Sequence, residues 1–199
     1  MIKNTFKIFS FLFVIAIANQ AQARLMLEPV LGYELGSTSK LETAGLDLGG
    51  KTSGVDLGLR VAYALPMMVW FGLDYSMMSD GKFAGEFPGT DGKVDRSNLY
   101  FDVGVDLPVL ARVWAGYGLM NSTKLKFDSG GDTTLKNGTN IKLGVGFTAL
   151  PLVSLNVEYF MHDYKDYDSS SGGSGSASDI WSTHKESGLL LSVSAPFKF

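Results

Sequence analysis

Eight segments of the chain alternate apolar with polar or very small residues, with a period of two, and few folds can use that many such strands. In residues 27–35 the apolar side chains Leu27, Leu31, Tyr33 and Leu35 fall on odd positions, while Glu28, Gly32 and Glu34 fall on even ones. The same parity governs residues 55–65, 69–77, 99–107, 113–119, 141–149, 153–161 and 189–199. Successive side chains of a strand point to opposite faces, so the pattern predicts eight strands of about ten residues with two unlike faces. A longer period supports this: Tyr33, Tyr75, Tyr117 and Tyr159 recur every 42 residues, each followed two positions later by Leu35, Met77, Leu119 or Met161. On the returning strands Gly104, Gly146 and Gly188 keep the interval. Four copies of an ascending strand, a loop and a descending strand account for the repeat.

The modules are joined by "ALPMMV", "DLPVLA" and "ALPLVS", where proline suits a tight turn. Within each module the connection is long: residues 37–53, 79–96, 122–139 and 163–186. The last holds "SSSGGSGSASD", a composition that reads as flexible and unable to pack a core. Every long loop thus lies at one end of the strands and every short turn at the other. The first 23 residues stand apart. A basic "MIKNTFK", an apolar "IFSFLFVIAIA" and "AQA" before Arg24 have the form of a secretory signal with its cleavage site. The apolar run is too short for a spanning helix, which takes roughly 20 residues. The expected organisation is a signal peptide over 1–23 and one domain over 24–199. Export would permit disulfides, but the chain has no cysteine. Without Lys3 and Lys7, 15 basic residues face 20 acidic ones. That balance argues against a nucleic-acid partner, which leaves a basic footprint.

Which face lies inside decides the architecture. Gly32, Gly58, Gly72, Gly104, Gly116, Gly118, Gly144 and Gly146 all sit on the polar face, a composition that implies crowding rather than open solvent. A crowded polar interior with an apolar exterior is the inverse of a soluble sandwich and the arrangement of a transmembrane β-barrel, which satisfies every backbone group by closing the sheet. The fold expected is therefore all-β: an eight-stranded antiparallel up-and-down transmembrane barrel with short periplasmic turns and four long extracellular loops. A strand tilted about 45° climbs roughly 2.4 Å per residue, so Tyr33, Tyr75, Tyr117 and Tyr159 would stand near one level as an outer aromatic girdle. Tyr63, Phe147, Phe197 and Phe199 would supply the inner one. A terminal strand with outward apolar residues at Leu189, Leu191, Val193, Ala195 and Phe197 and a final Phe199 resembles the C-terminal assembly signal of bacterial outer-membrane barrels. Across its eight strands the chain resembles the OmpA/OmpX-type outer-membrane β-barrel family. The expectation is the barrel alone, without the periplasmic peptidoglycan-binding domain of OmpA. The resemblance implies an outer-membrane location after export, insertion by the barrel-assembly machinery, contact with outer-membrane lipid and lipopolysaccharide, and a monomer without cofactors.

An eight-stranded barrel is just wide enough for side chains to fill it. Hairpin register pairs Arg60 with Asp74 and Asp106 with Arg112, and sets Lys142 diagonal to Glu158 once Ala149 is placed opposite Val153. Glu28 and Asp102 join them on the inner face, and Trp70 and Trp114 point inward to plug the lower half. The reading that follows is a non-enzymatic barrel with a structural or surface-interaction, adhesin-like role. A first alternative is a narrow cation-preferring channel lined by Glu28, Asp74, Asp102 and Glu158. A second is an outer-leaflet lipid-modifying enzyme built around His184 with Ser182, Glu186 and Ser187. The lipid A deacylases of this barrel class pair His-x-Ser on one strand, and here position 186 is Glu. His162 and His184 are otherwise expected to be solvated loop residues. The extracellular loops, with aromatic and charged stretches such as "GKFAGEFPGTDGK", are where an extracellular ligand would bind.

Overall fold

The computed structural model describes residues 24–199 except 44, 45, 48, 67, 87, 109, 151, 171, 172 and 180–182. The expected signal segment lies outside the described residues. Eight long strands, β1 (Arg24–Thr43), β2 (Gly50–Ala64), β3 (Val69–Gly85), β4 (Gly92–Leu107), β5 (Ala111–Phe127), β6 (Thr139–Leu150), β7 (Val153–Asp163) and β8 (Thr183–Ser194), each pair antiparallel with the next. β8 returns to β1, with Val30 opposite Ser194 and Tyr33 opposite Leu191, and the final pairing of Met26 with Lys198 extends that seam downward. The eight long strands form a closed antiparallel barrel, so the part of the wall they build has no free edge in need of backbone partners. Three lower turns repeat the 42-residue period in their backbone: Met68, Leu110 and Leu152 all adopt positive φ, at 65°, 59° and 66°. Register follows the expected pairing except after Phe147, where a bulge sets Leu150 rather than Ala149 opposite Val153.

The two faces are inverted relative to a soluble protein. Leu31, Tyr117 and Val145 are more than half exposed, while Glu28 and Asp102 have no exposed surface. The inward glycines make room for indoles. A Cβ on Gly104 would collide with the Trp70 ring, and one on Gly144 with the Trp114 ring. Because a closed wall cannot splay, Gly144→Ala should destabilise the barrel by about 1–3 kcal/mol. Chemical denaturation in lipid vesicles checks this, and adding Trp114→Phe should return part of the loss.

The strands run far beyond the expected ten residues; β1 has 20 and β3 and β5 have 17 each. Their upper parts were expected as loops. Register shifts fall between Glu34 and Ser37 on β1, between Met78 and Gly81 on β3, and beside Leu119 on β5. Each inserts a residue that turns the strand over. Gly36 and Asp80 supply the left-handed conformation at two of them, with φ of 62° and 53°. Above the bulges apolar side chains face in and lysines face out, as on a soluble sheet. Met78, Phe83, Val94, Leu125, Leu135, Tyr164 and Ala177 form a buried apolar core there, with Phe127 and Tyr167 packed against it. The serine and glycine tract contributes as well, contrary to expectation. Asp166–Ser169 pairs with Gly173–Ser176 on one side and with Asp132–Lys136 on the other, extending the wall from β5 and delivering Ala177 to this core.

Candidate functional site: the sealed lumen

Inward-facing side chains fill the barrel in layers. At the lower mouth Arg112 donates from Nε to Asp106 at 2.7 Å, and Lys198 Nζ reaches Asp106 at 2.5 Å. Above it, Arg60 sits among three acids: Asp74 at 2.7 Å, Glu28 at 3.1 Å and Asp102 at 3.2 Å. Glu28 also accepts from Arg112 at 2.9 Å and from the Ser194 hydroxyl at 2.6 Å. Lys142 completes the layer, 2.6 Å from Asp74, 3.1 Å from Asp102 and 3.6 Å from Glu158. Trp70 and Trp114 both lie against the Arg60 guanidinium, with ring centroids 5.2 and 4.8 Å from it and 6.4 Å from each other, two cation–π contacts from adjacent rings that fill the lower lumen together with Met26. Every residue of the expected interior set is brought into one network. Asp106 alone stands at its rim, with 27% of its side chain exposed.

A second buried layer was not anticipated. Arg96 bonds Glu34 at 2.5 Å and also contacts Glu186. The Ser37 hydroxyl lies within hydrogen-bond reach of both carboxylates. Tyr164 donates to Glu186 at 2.8 Å, and Tyr100 lies 2.8 Å from His162 Nε2. Burial, with Glu186 beside it, holds the Tyr164 hydroxyl well above its ordinary pKa, so it remains a donor beneath the extracellular core. The signal for this layer was present in parity: Glu34, Arg96, His162 and Glu186 are even-numbered like the rest of the inner face, but all except Glu34 lie beyond the expected strands. His162 is correspondingly not a solvated loop residue. It is 2% exposed and stacks on Phe160 at 4.9 Å. His184 is half-buried, with Nε2 3.1 Å from Asp163. The expected hydrolase grouping is divided, since Glu186 turns inward to Arg96 while His184 turns to Asp163; Ser182 lies outside the described residues.

Among the described residues, seven buried carboxylates, Glu28, Glu34, Asp56, Asp74, Asp102, Glu158 and Glu186, face four buried cations, Arg60, Arg96, Arg112 and Lys142. Between the two layers lies a cavity of about 40 Å³ lined by Asp56, Glu158 and Asn98 among others, room for a few water molecules. No group of three or more His, Cys, Asp or Glu among the described residues is arranged to hold a metal ion. On the outside, Tyr33, Tyr75, Tyr117 and Tyr159 are 42–56% exposed, each with one further apolar residue above it. Below, Tyr63, Phe147, Phe197 and Phe199 are exposed, and Phe71 and Phe101 join Tyr63 in a row with centroids 6.0 and 6.4 Å apart. The last two were missed because no repeat carries them.

No family model matches the sequence, and no curated protein matches it. Solved structures do. Neisserial surface protein A (NspA) superposes with a TM-score of 0.52 at 15% identity, over 87% of this chain and 97% of that one. Ail, the attachment invasion locus protein of Yersinia pestis, solved with the heparin analogue sucrose octasulfate, gives 0.52 at 14% identity, over 88% and 99%. The chain has the fold of a small outer-membrane β-barrel. This is the fold that the resemblance to the OmpA/OmpX-type barrels implied. At this identity the likeness extends to the backbone plan, while the packing of charge inside the barrel is argued from this chain's own residues.

Proposed function

We propose that the protein is a closed, non-conducting barrel of the bacterial outer membrane whose role is structural or adhesin-like and is exercised by the folded surface it holds outside. The observation that carries this reading is the sealing of the lumen at two levels. Trp70 and Trp114 stack on Arg60 below, and the Arg96 layer beneath the Phe83 and Leu125 core closes the barrel above. This filling argues against a continuous aqueous path for an ion. A wall rigid enough to carry strands above the membrane presents its outer hairpins in a set arrangement, which is what a contact surface needs. Two neighbours in fold bear names that speak of the cell surface and of attachment, and that likeness supports the same direction.

The channel alternative would draw on the excess of interior acid, but permeation requires the Arg60 and Arg96 layers to come apart together. The enzyme alternative would need a nucleophile and base within reach of an outer-leaflet substrate, and the buried His162 and Glu186 sit under the apolar core instead. Planar-bilayer recording tests the reading. The wild-type barrel should give no sustained conductance at neutral pH. Steady single-channel steps that shift with Asp74→Asn would overturn it.

A further inference from the structure

An outer groove of about 690 Å³ crosses four adjacent strands near the upper limit of the apolar wall. Its floor is Ile141, Tyr159 and Met161, each 40–43% exposed. Its upper lip carries Lys40 and Lys185, with Thr38 and Ser187 between lip and floor. Register sets Lys40 directly opposite Lys185, and both side chains are exposed on the outer face. Like charges directly opposite each other destabilise a strand pair, so this arrangement calls for an anion. Neither lysine has an ion-pair partner among the described residues; of the acids that line the groove, Asp163 is engaged by His184 at 3.1 Å and Glu186 is turned inward to Arg96.

The far side of the barrel shows what a self-sufficient surface looks like. There Lys93 pairs with Asp80 at 3.1 Å, Lys124 with Asp132 at 2.7 Å and Lys126 with Asp95. The hydrogen bond from Lys126 holds Asp95 below its usual carboxylate range. On the β8, β1 and β2 side Lys40, Lys51 and Lys185 have no ion-pair partner among the described residues. Lys51, opposite Thr38 in register and outward, adds a third one step along the same diagonal.

Position selects the anion. Lys185 lies two outward positions above Leu189 on β8, and Lys40 lies beyond the last outward apolar residue of β1, Leu35. The lysines therefore stand where hydrocarbon ends and headgroups begin. We propose that this groove is a binding site for a phosphorylated lipid of the outer leaflet, its acyl chains against Ile141, Tyr159 and Met161 and its phosphate bridging Lys40 and Lys185. The Thr38 and Ser187 hydroxyls supply the neutral donors. Charge-assisted bonds to phosphate replace a repulsion between two lysines, and the apolar floor adds burial that a free anion could not use. The proposal rests on the membrane reading above and deepens it by naming a lipid class and a place.

The test uses the full barrel folded in detergent, with native mass spectrometry and the heat-unfolding midpoint as readouts. The probes are diphosphorylated lipid A, its dephosphorylated form, phosphatidylcholine and inorganic phosphate. The diphosphorylated lipid should bind and raise the midpoint, and the dephosphorylated one should bind more weakly by about tenfold to thirtyfold, the factor expected for two lysines at an anionic headgroup. Lys40→Gln with Lys185→Gln should remove that preference, while Lys124→Gln with Lys126→Gln on the far side should keep it. Equal binding of both lipid forms, or an unchanged preference in the Lys40 and Lys185 variant, would overturn the site. Full competition by inorganic phosphate at equal concentration would overturn the lipid assignment. Flotation with phosphatidylcholine vesicles reports separately on the membrane reading, since a barrel that inserts yet ignores the phosphate fails only the present proposal. The gel shift between boiled and unboiled protein identifies any variant that has not folded.

Discussion

Replacing Arg60 by Met should cost the barrel about 3–5 kcal/mol, the range for removing one partner from a buried ion network. Met is shorter than Arg but close to it in volume, so it fills much of the space beside Trp70 and Trp114 while removing the charge and every hydrogen bond of the guanidinium. Without the guanidinium, Asp74, Asp102 and Glu28 share only Lys142 and Arg112. One of the three must then take up a proton or leave the layer. Urea unfolding in lipid vesicles, followed by tryptophan fluorescence, measures the effect. Adding Asp74→Asn should recover part of it, because removing both members of a buried pair is far less damaging than orphaning one. A loss below about 1 kcal/mol would mean that the remaining cations neutralise the layer alone.

Leu59→Arg should destabilise the membrane-inserted barrel by about 2–4 kcal/mol, the cost of a cation at the bilayer midplane on a barrel's lipid face. Leu59 is the middle of the outward row Val55 to Tyr63 on β2 and is 43% exposed. On a soluble protein such a change at an exposed position would be close to neutral, so the sign of the result is decisive. Lys51→Leu, on the same strand and face but above the apolar wall, should change stability by less than about 0.5 kcal/mol. If the two substitutions behave alike, the apolar exterior does not meet hydrocarbon.

Legibility in the sequence followed the physics of each region. In the membrane-spanning part, side chains at odd positions must be apolar and those at even positions must fit a narrow polar lumen, so parity revealed both the strands and the partners Arg60, Asp74, Asp106, Arg112, Lys142 and Glu158. Hairpin register needs only the turn position, and the three lower turns share one backbone form at Met68, Leu110 and Leu152. The upper part was illegible for two reasons. Bulges on β1, β3 and β5 reverse which parity faces in, so Phe83 and Leu125, odd-numbered like the outward residues below them, turn into the core. The medium also changes from lipid to water, so outward lysines replaced the outward leucines by which a strand had been recognised. His162 and Glu186 kept the inward parity and were set aside only because their neighbours looked like loop.

Alternation and spacing were enough to establish a closed eight-stranded wall with an apolar exterior, because period two leaves each side chain only two destinations and lipid admits no open edge. Which charges meet across the lumen, as Glu28 on β1 meets Arg112 on β5 and Arg96 on β4 joins Glu34 to Glu186, was settled only in three dimensions. Those partners come from opposite walls, and their distance depends on barrel closure and shear rather than on any separation along the chain. The same holds for Lys40 and Lys185, which lie far apart in sequence and face each other only because the last strand closes on the first.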